Sequence, residues 1–367
     1  MLNLFSDQVN RDISFKRSLL KPISFIFSLC LLFSLFCSAS FSLARTVIDS
    51  EEREVQVADK VTKVAPLIPA FAQMTEMLTQ GDGRISAYPT QVISPFFKLV
   101  FPDIVASNPK NYDTGSVEDI VASGAQVVFG PDVSLSVERR AQLEKAGVAV
   151  VAINNIASVE TICQSFEIIG QILGPEESQR AKEFGQYYKA NLQRAKERSS
   201  DLKEGERVKV MLVAGLGGRM TTINETDICN EHIEAAGGIN VARDYKGTSQ
   251  GGRLMVDPEL IVDWAPEVIV TTVNSLTDEI LNNPSLKTIP AVKNGRVYNC
   301  PQGIFLWSTR SGEGALMALW LGSKFYPERF KDIDMRAEVK SFFKRFYNFD
   351  ISESQTEDVL EGRTKIN

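Results

Sequence analysis

The chain has 367 residues, which is enough for two domains of ordinary size. Its composition, 44% hydrophobic and 23% charged residues, is that of a globular protein. A formal net charge of −6 argues against nucleic acid or an anionic membrane surface as a partner. No cluster of Lys and Arg in the body of the chain resembles a stripe that would follow a phosphate backbone.

The first 44 residues have the layout of a secretory signal peptide. Basic residues up to Lys21 precede an apolar run from Ile23 to Cys37, and Ser42 to Ala44 offers small residues for cleavage. An uncleaved anchor is the alternative, because residues 22–43 are long enough to span a bilayer. We therefore predict a periplasmic protein, with attachment to the outer face of the inner membrane as the alternative.

Export would place three cysteines, Cys163, Cys229 and Cys300, in an oxidising compartment. Two interpretations stay open. Cys229 and Cys300 form a disulfide while Cys163 stays buried, or all three are free buried thiols. Their spacing does not resemble a zinc site.

Residues 45–157 alternate short apolar strands with helical segments. The predicted strands are 61–66, 84–88, 125–130 and 148–153, and the predicted helices are 71–79, 117–123 and 139–146. Unbroken apolar strands between helices are typical of a parallel sheet covered on both faces. This region is predicted to be an N-terminal α/β lobe.

Residues 158–202 form helices for most of their length, with one interruption at Gly174 and Pro175. Apolar residues from Ile162 to Leu173 recur at helical spacing. Pro175 suits the first turn of a second helical part. We predict one long spine helix that connects two lobes.

Residues 203–350 repeat the pattern of the first lobe. Strands are predicted at 208–215, 267–272 and 295–300, and helices at 226–236, 257–264, 313–325 and 336–346. The polar residues 351–367 are predicted to be a flexible tail. The predicted fold is therefore α/β, with two lobes that each hold a mainly parallel sheet flanked by helices, and with a ligand cleft between them.

No catalytic motif is present: the chain lacks G-x-S-x-G, H-E-x-x-H and a phosphate-binding loop. The single histidine, His232, is interpreted as a helix-face residue. A protein that binds bare zinc or manganese normally uses several His and carboxylate ligands. We therefore predict no enzyme activity, no cofactor and no direct metal site, and we expect any metal to arrive inside an organic chelator.

Five phrases in order along the chain resemble the substrate-binding proteins of bacterial ABC importers for ferric siderophores, haem and vitamin B12. They are K-V-T-K-V-A-P-L-I-P-A (60–70), S-V-E-D-I-V-A-S-G-A-Q-V-V-F (116–129), I-E-A-A-G-G-I-N-V-A (233–242), V-D-P-E-L-I-V-D-W-A-P-E-V-I-V (256–270) and V-K-N-G-R-V-Y-N (292–299). The resemblance covers about residues 47–347. It implies a monomeric periplasmic protein that captures a metal chelate, with a ferric siderophore as the leading ligand and haem, cobalamin or a nickel or cobalt chelate as alternatives.

The resemblance also implies that each lobe presents a carboxylate that docks on arginines of the membrane permease. Glu118 and Glu259 occupy the matching places, each near the start of a short helix. The alternative is that each glutamate only stabilises a helix N-terminus.

The ligand residues that the resemblance implies begin with the loop W-S-T-R-S-G-E-G (307–314), in which Trp307 would be an aromatic platform and Arg310 an anion clamp. The other expected contacts are Tyr88, Tyr112, Thr221, Thr222 and Asn224. Capping of a helix by Ser311 and core packing of the aromatic rings are the alternatives. Glu225 and Asp227 would either disfavour a strongly anionic chelate or cap the following helix.

Two other functions stay open. One is a periplasmic enzyme on the same scaffold, and the other is a chemosensory accessory protein that binds a ligand and docks on a receptor.

Overall fold

The computed structural model describes residues 44–364, with gaps at 90–93, 103–109, 113–115, 155–156, 217–218 and 251–252. For residues 110–112 only the backbone is described. The predicted signal peptide therefore lies outside the described residues except for Ala44, which begins the first strand. Within the described ranges, no helix combines the length and the apolar character needed to cross a membrane.

The N-terminal lobe alternates strands and helices, as predicted. Its strands are β1 (Ala44–Ile48), β2 (Glu54–Ala58), β3 (Val64–Pro66), β4 (Ala87–Pro89), β5 (Lys110–Tyr112), β6 (Val127–Gly130) and β7 (Ala149–Ala152). Its helices are α1 (Pro69–Thr79), α2 (Pro95–Val100), α3 (Val117–Ala122) and α4 (Val137–Lys145). Strands β3, β6 and β7 form a parallel sheet, and β4 pairs in parallel with β5. The antiparallel hairpin β1–β2 was not predicted.

Serine side chains set the starts of two helices in this lobe. Ser94 accepts a hydrogen bond from the backbone N–H of Phe97, and Ser116 accepts one from Asp119, at 3.0 and 3.1 Å. Strand β6 is buried along its whole length because helices cover both faces of the sheet. The short helices and the buried strand follow from residue types that the sequence shows directly.

The connecting segment is helical, as predicted, but it consists of two helices rather than one long helix. These are α5 (Val159–Leu173) and α6 (Pro175–Ser199). Between them Gly174 has a φ of +152°, which favours glycine, and Pro175 cannot donate a hydrogen bond to continue α5. The chain reverses here, since Gly170 lies against Ser178 and Gly185 lies against Cys163. The spine is therefore an antiparallel helical hairpin.

The C-terminal lobe holds a mixed sheet. Its strands are β8 (Val208–Leu216), β9 (Arg219–Thr222), β10 (Gly238–Asn240), β11 (Ser249–Gln250), β12 (Arg253–Met255), β13 (Val268–Thr271) and β14 (Val297–Asn299). The sheet has the order β11-β12-β9-β8-β13-β14, with β10 also paired to β8. The pairs of β8 with β10 and β13, and of β13 with β14, are parallel, while β9, β11 and β12 add an antiparallel extension.

Helices cover this sheet and close the lobe. They are α7 (Ile228–Ala235), α8 (Pro258–Trp264), α9 (Asn274–Asn282), α10 (Pro290–Lys293), α11 (Met317–Phe325), α12 (Met335–Tyr347) and α13 (Glu353–Leu360). Helix α6 packs on α7 and α11, whereas α5 packs on α1 and β1. The helical hairpin therefore joins the two lobes. The structure confirms an α/β fold of two lobes with parallel strands flanked by helices.

The predicted flexible tail is wrong over most of its length. Ser352 and Gln355 form a capping box at the start of α13, and Val359 is fully buried. The backbone N–H of Gln302 donates to the Val359 carbonyl at 2.9 Å, and the Thr364 hydroxyl donates to the Gln302 carbonyl at 2.8 Å. The tail is ordered because it packs on the loop that follows β14.

One hydrophobic cluster runs through both lobes and the helical hairpin. It includes Phe71 of α1, Phe166 of α5, Tyr188 of α6 and Trp307 of the loop after β14. Two smaller clusters lie on the other faces of the two sheets, one around Val128 and one around Ile269. The lobes therefore share a continuous core beside the hairpin.

Candidate functional site

The loop from Gly303 to Ser311 is held by one buried carboxylate, that of Glu313. Glu313 lies in a 3₁₀ turn (Gly312–Leu316) that leads into α11. It accepts hydrogen bonds from the backbone N–H groups of Gly303 (2.9 Å), Ile304 (2.9 Å) and Phe305 (3.2 Å), the Trp307 indole (3.1 Å) and the Tyr347 hydroxyl (2.9 Å). Burial raises the pKa of Glu313 to about 7, and these donors act in the opposite direction. The carboxylate fixes the conformation of the loop.

Trp307 is a core residue in this structure and not an exposed platform. Its side chain has no exposed surface, and its indole N–H donates to Glu313. The core-packing alternative therefore holds for this ring. Ser311 occupies the position before the 3₁₀ turn, but its hydroxyl donates to the Leu306 carbonyl at 3.4 Å and caps no backbone N–H. The predicted capping role of Ser311 is wrong.

The same loop contacts the N-terminal lobe through Gln73 of α1. The Gln73 amide donates to the Tyr347 hydroxyl at 2.7 Å, and its oxygen accepts from the Gly312 N–H at 3.0 Å. A Cβ atom at Gly312 would lie 2.2 Å from the Met77 sulfur, so a larger residue here would require the Met77 side chain to move. Gln73, Tyr347 and Glu313 thus form a buried polar chain between the lobes.

Arg310 is the most accessible of the predicted ligand residues in the described loop. Its side chain is 45% exposed, and Nη2 lies 3.5 Å from a carboxylate oxygen of Asp227. Asp227 also accepts from the backbone N–H of Cys229 at 3.0 Å, so it caps α7, as one alternative predicted. Glu225 is exposed nearby in the chain. Arg310 is therefore a half-exposed cation with one weak ion pair among the described residues.

Three polar residues predicted as ligand contacts have local structural roles. Thr221 and Thr222 are fully buried, and their hydroxyls donate to the carbonyls of Ala214 (3.1 Å) and Leu212 (2.7 Å) within the sheet. Asn224 accepts from the backbone and hydroxyl of Thr226, which stabilises a turn. The predicted roles of Thr221 and Thr222 at the lobe interface are therefore corrected, because both hydroxyls are buried and donate to carbonyls of β8.

Tyr88 is also buried, and its hydroxyl donates to the carboxyl of Glu76 in α1. Its ring packs edge-on against Phe97 at 5.8 Å. The second oxygen of Glu76 is buried and has no hydrogen-bond partner among the described residues. Burial raises the pKa of Glu76 to about 8, with Asp82 adding to the rise and Arg84 opposing it. Tyr88 is therefore a core residue here, while the Tyr112 side chain lies outside the described residues.

The two predicted docking glutamates each lie in the first turn of a short helix. Glu118 is exposed in the first turn of α3, and Glu259 is exposed in the first turn of α8. Ser116 and Asp257 cap these helices at their N-termini. The two carboxylates thus belong to separate lobes and are both open to solvent.

His232, which the sequence analysis interpreted as a helix-face residue, lies on the buried face of α7. It is fully buried, and its Nε2 lies 2.9 Å from the Tyr188 hydroxyl. Burial lowers the pKa of His232 to about 3. Across the described ranges, no three His, Cys, Asp or Glu side chains are grouped as metal ligands.

The possible disulfide between Cys229 and Cys300 is not formed. Cys163, Cys229 and Cys300 are free and buried, so the alternative of three free thiols holds. The Cys229 thiol donates to the Ser308 carbonyl at 2.9 Å, which ties α7 to the loop that contains Arg310.

The sequence interpretation missed Gln73, Glu76 and Glu313. A signal was present for the first two, because α1 reads P-A-F-A-Q-M-T-E-M-L-T and is otherwise almost wholly apolar. Polar residues within a helix of that composition are buried and need partners. Glu313 offered no such signal, since its donors come from residues that only the tertiary fold brings together.

Comparison with known proteins places the chain in a family. Residues 100–303 match the model of a periplasmic binding protein family. The chain belongs to this family. A substrate-binding lipoprotein of a Bacillus subtilis ABC transporter, YvrC, is 25% identical over 291 residues, which are 78% of this chain and 87% of YvrC.

Two further proteins extend the family relationship. The molybdate-binding protein MolA of Haemophilus influenzae is 25% identical over 345 residues, covering 87% of this chain and 94% of MolA. Its molybdate-bound structure has a TM-score of 0.71 at 22% identity and covers 84% of this chain and 99% of its own. A periplasmic solute-binding protein of Veillonella parvula has a TM-score of 0.74 at 22% identity, covering 87% of this chain and 97% of its own. The family assignment predicted from the sequence is confirmed, and the fold is that of ABC transporter substrate-binding proteins.

Proposed function

We propose that this chain is the periplasmic substrate-binding protein of an ABC importer and carries a metal chelate, with a ferric siderophore as the leading ligand. Membership of the periplasmic binding protein family carries this proposal. Two lobes joined by a helical hairpin support it, because a cleft between lobes is a common place for a small ligand. Any metal would be held by its chelator, so the chain itself would need no metal ligands.

Arg310 supports an anionic ligand. Its guanidinium is half exposed and is only loosely paired with Asp227, at 3.5 Å. A guanidinium binds carboxylate, catecholate or hydroxamate oxygens with charge-assisted and often bidentate hydrogen bonds. A chelate that presents such oxygens would compete well with a surface ion pair, which contributes little.

The exposed pair of Glu118 and Glu259 supports delivery to a permease. Carboxylates on separate lobes steer docking onto a basic membrane partner and are sensitive to the distance between the lobes. Each glutamate also stabilises the N-terminus of its helix, and the two roles are compatible.

A free oxyanion is the second candidate ligand. The observation that favours it is the relationship to MolA, a molybdate-binding protein, over most of both chains. The arginine chemistry is the same for both candidates, because each presents negatively charged oxygens.

The test is a panel titration of the purified protein by calorimetry, with thermal unfolding as a second readout. The panel contains ferric catecholate and hydroxamate siderophores, haemin, cobalamin, nickel–histidine and sodium molybdate. A ligand at 100 times its Kd stabilises the folded state by about 2.7 kcal/mol, so true binding raises the melting temperature. We expect saturable binding of one ferric chelate. Molybdate binding alone would favour the second candidate, and no binding at all would contradict the proposed ligand class.

A further inference from the structure

One backbone group fixes the direction of every hydrogen bond in the buried polar chain between the lobes. The N–H of Gly312 can only donate, and it lies 3.0 Å from the side-chain oxygen of Gln73. The amide nitrogen of Gln73 therefore faces Tyr347 and donates to its hydroxyl oxygen at 2.7 Å. The hydroxyl hydrogen of Tyr347 is then directed at Glu313, whose Oε1 atom accepts it at 2.9 Å. The chain has one polarity, and it ends on a group that has to accept.

The hydrogen-bond partners of Glu313 among the described residues are all donors. Oε1 accepts from two backbone N–H groups of the loop and from Tyr347, while Oε2 accepts from a third loop N–H and from the Trp307 indole. A proton on Oε2 would point at two N–H groups. A proton on Oε1 would take the single hydrogen position between Glu313 and Tyr347, and the Tyr347 hydroxyl would lose its acceptor. The arrangement therefore requires the ionised form of Glu313.

Protonation of Glu313 conflicts with the contact between the loop and α1. Water does not replace a missing partner here, because Gln73 and Glu313 have no exposed surface and Tyr347 has almost none. The Tyr347 hydroxyl then needs another acceptor, and the chain offers only the oxygen of Gln73. Turning the Gln73 amide to present that oxygen brings its nitrogen against the Gly312 N–H, so that two donors face each other. Protonation thus separates Gly312 from α1.

Gly312 belongs to the loop that carries Arg310. The Ser311 N–H donates to the Thr309 carbonyl at 2.8 Å, so a tight turn encloses Arg310 directly before Gly312. The ion pair of Arg310 with Asp227 is 3.5 Å long and half exposed, and such a pair does little to hold the loop. Release of Gly312 from α1 therefore changes the position of Arg310 relative to the N-terminal lobe.

We propose that Gln73 and Glu313 are positioning residues for the ligand of this protein. Together with Tyr347 and the Gly312 N–H they form a contact between the lobes, here called the interlobe latch, which holds the Arg310 loop only while Glu313 is ionised. Ligand is therefore bound more tightly in mildly alkaline than in mildly acidic solution. Gln73 and Glu313 are fully buried, so they act through the loop and do not touch the ligand. This inference rests on the proposed function and adds to it a control of ligand affinity by protons.

The groups around Glu313 set the pH range in which the interlobe latch opens. Burial raises the pKa of Glu313 to about 7, although its donors lower it, so the latch is closed above this pH and opens below it. Burial holds the pKa of Tyr347 of α12 and of Tyr188 of α6 well above 10, and it lowers the pKa of His232, the partner of Tyr188, to about 3. Glu76 of α1, with a pKa of about 8, titrates in the same range and therefore needs a control.

The test measures the Kd of wild type and variants by calorimetry between pH 5.5 and 8.5, with sodium molybdate and a ferric hydroxamate siderophore as probes. Gln73→Met keeps the size of the side chain and removes its amide. Asn191→Leu is the matched control, because Asn191 is another buried amide that bonds the same 3₁₀ turn, at the Ala315 carbonyl (3.1 Å), outside the latch. Glu76→Gln removes the other titrating carboxyl. The ratio of variant to wild-type Kd is taken at each pH, so that titration of the probe cancels.

At pH 8 we expect Gln73→Met to bind about tenfold more weakly than wild type, a loss typical of one or two buried hydrogen bonds. The ratio should fall toward one as the pH drops through 7, because wild type then loses the latch that the variant already lacks. The ratio for Asn191→Leu should be the same at every pH, and that for Glu76→Gln should stay near one. If Gln73→Met does not fold, Tyr347→Phe interrupts the same chain and takes its place.

Three results would overturn the inference and leave the proposed function intact. They are a Kd ratio of one for Gln73→Met at pH 8, a ratio that does not change with pH, and a pH dependence that disappears in Glu76→Gln. The second result would mean that Gln73 has only a structural role.

Ligand-free protein decides the inference if wild type binds neither probe. The Trp307 indole donates to Glu313, so intrinsic tryptophan fluorescence should change with a midpoint near pH 7. The midpoint should move to higher pH in Gln73→Met, because a latch that needs the ionised form also stabilises that form. An unchanged midpoint would overturn the inference, whereas the proposed function fails only if the whole panel described above also fails.

Discussion

The side-chain amide of Gln73 in the N-terminal lobe donates a hydrogen bond of 2.7 Å to the hydroxyl of Tyr347 in the C-terminal lobe. Tyr347 in turn donates to Glu313, which holds the loop that contains Arg310. A helix of one lobe is thus connected through two hydrogen bonds to a loop of the other. These two hydrogen bonds fix the position of the loop at the lobe interface.

Replacement of Tyr347 by Phe removes the shared hydroxyl and leaves two buried partners without a hydrogen bond. We expect a loss of about 1–3 kcal/mol in the free energy of unfolding. Urea unfolding monitored by circular dichroism measures it. Tyr298→Phe is the control, because Tyr298 is only partly buried and its hydroxyl forms no hydrogen bond within the described residues. Equal free energies of unfolding for Tyr347→Phe and Tyr298→Phe would show that the hydrogen bonds from Gln73 through Tyr347 to Glu313 contribute nothing to stability.

Glu76 makes stability depend on pH. Its pKa of about 8 in the folded state lies above the ordinary value of 4.5, so folding favours the protonated form. The stabilisation that the protonated Glu76 carboxyl contributes is complete below about pH 4.5 and is lost as the pH rises through 8. Relative to wild type, Glu76→Gln should therefore gain about 1.4 kcal/mol per pH unit between pH 5 and 8.

Glu76→Gln removes only the ionisable group, because the glutamine amide oxygen still accepts a hydrogen bond from the Tyr88 hydroxyl. Glu313, whose pKa is also raised, is present in both proteins and cancels in the difference. Unfolding free energies at pH 5, 6, 7 and 8 give the two curves. Parallel curves would mean that Glu76 is ionised in the folded protein across this pH range and does not make stability depend on pH.

Arg310→Ala should weaken binding of the ligand found in the panel by ~1.5–3 kcal/mol, the value of a lost charged hydrogen bond. The fold should be unaffected, because the pair with Asp227 is long and half exposed. Calorimetry and thermal unfolding measure the two quantities. Arg243→Ala is the control, since its side chain is 49% exposed and also pairs with an aspartate. A wild-type affinity in Arg310→Ala would remove this residue from the ligand site.

Charge reversal at Glu118 and Glu259 tests delivery. The double variant Glu118→Lys, Glu259→Lys should abolish uptake of the ligand in cells while its affinity in solution stays at the wild-type value. Each substitution costs about 0.3–1 kcal/mol at a helix N-terminus, which a stable fold tolerates. Glu176→Lys is the matched control, because Glu176 is an exposed first-turn glutamate of α6 on the helical hairpin.

Uptake that survives the double reversal would contradict a docking role. Loss of affinity in solution would mean instead that the two glutamates act on the ligand or on the closure of the lobes.

The sequence by itself determined the fold class, the order of the two lobes and most of the helices and strands. These depend on local periodicity, caps and glycine or proline positions, which a linear sequence displays, as at Ser116 and at Gly174. The positions of Glu118 and Glu259 were also predictable, because each follows a capping residue at the start of a short helix. Their exposure was decided by the tertiary structure, since Glu313 also lies in a first turn and is fully buried.

Only the tertiary structure decided which polar and aromatic residues are buried. Trp307 and Tyr88 were expected at the ligand, yet their polar atoms are bound to the buried carboxyl groups of Glu313 and Glu76. The reversal at Gly174 and the ordered tail likewise depend on contacts with residues far along the chain. A side chain's type can be read along the chain, whereas its partners are set by packing in three dimensions.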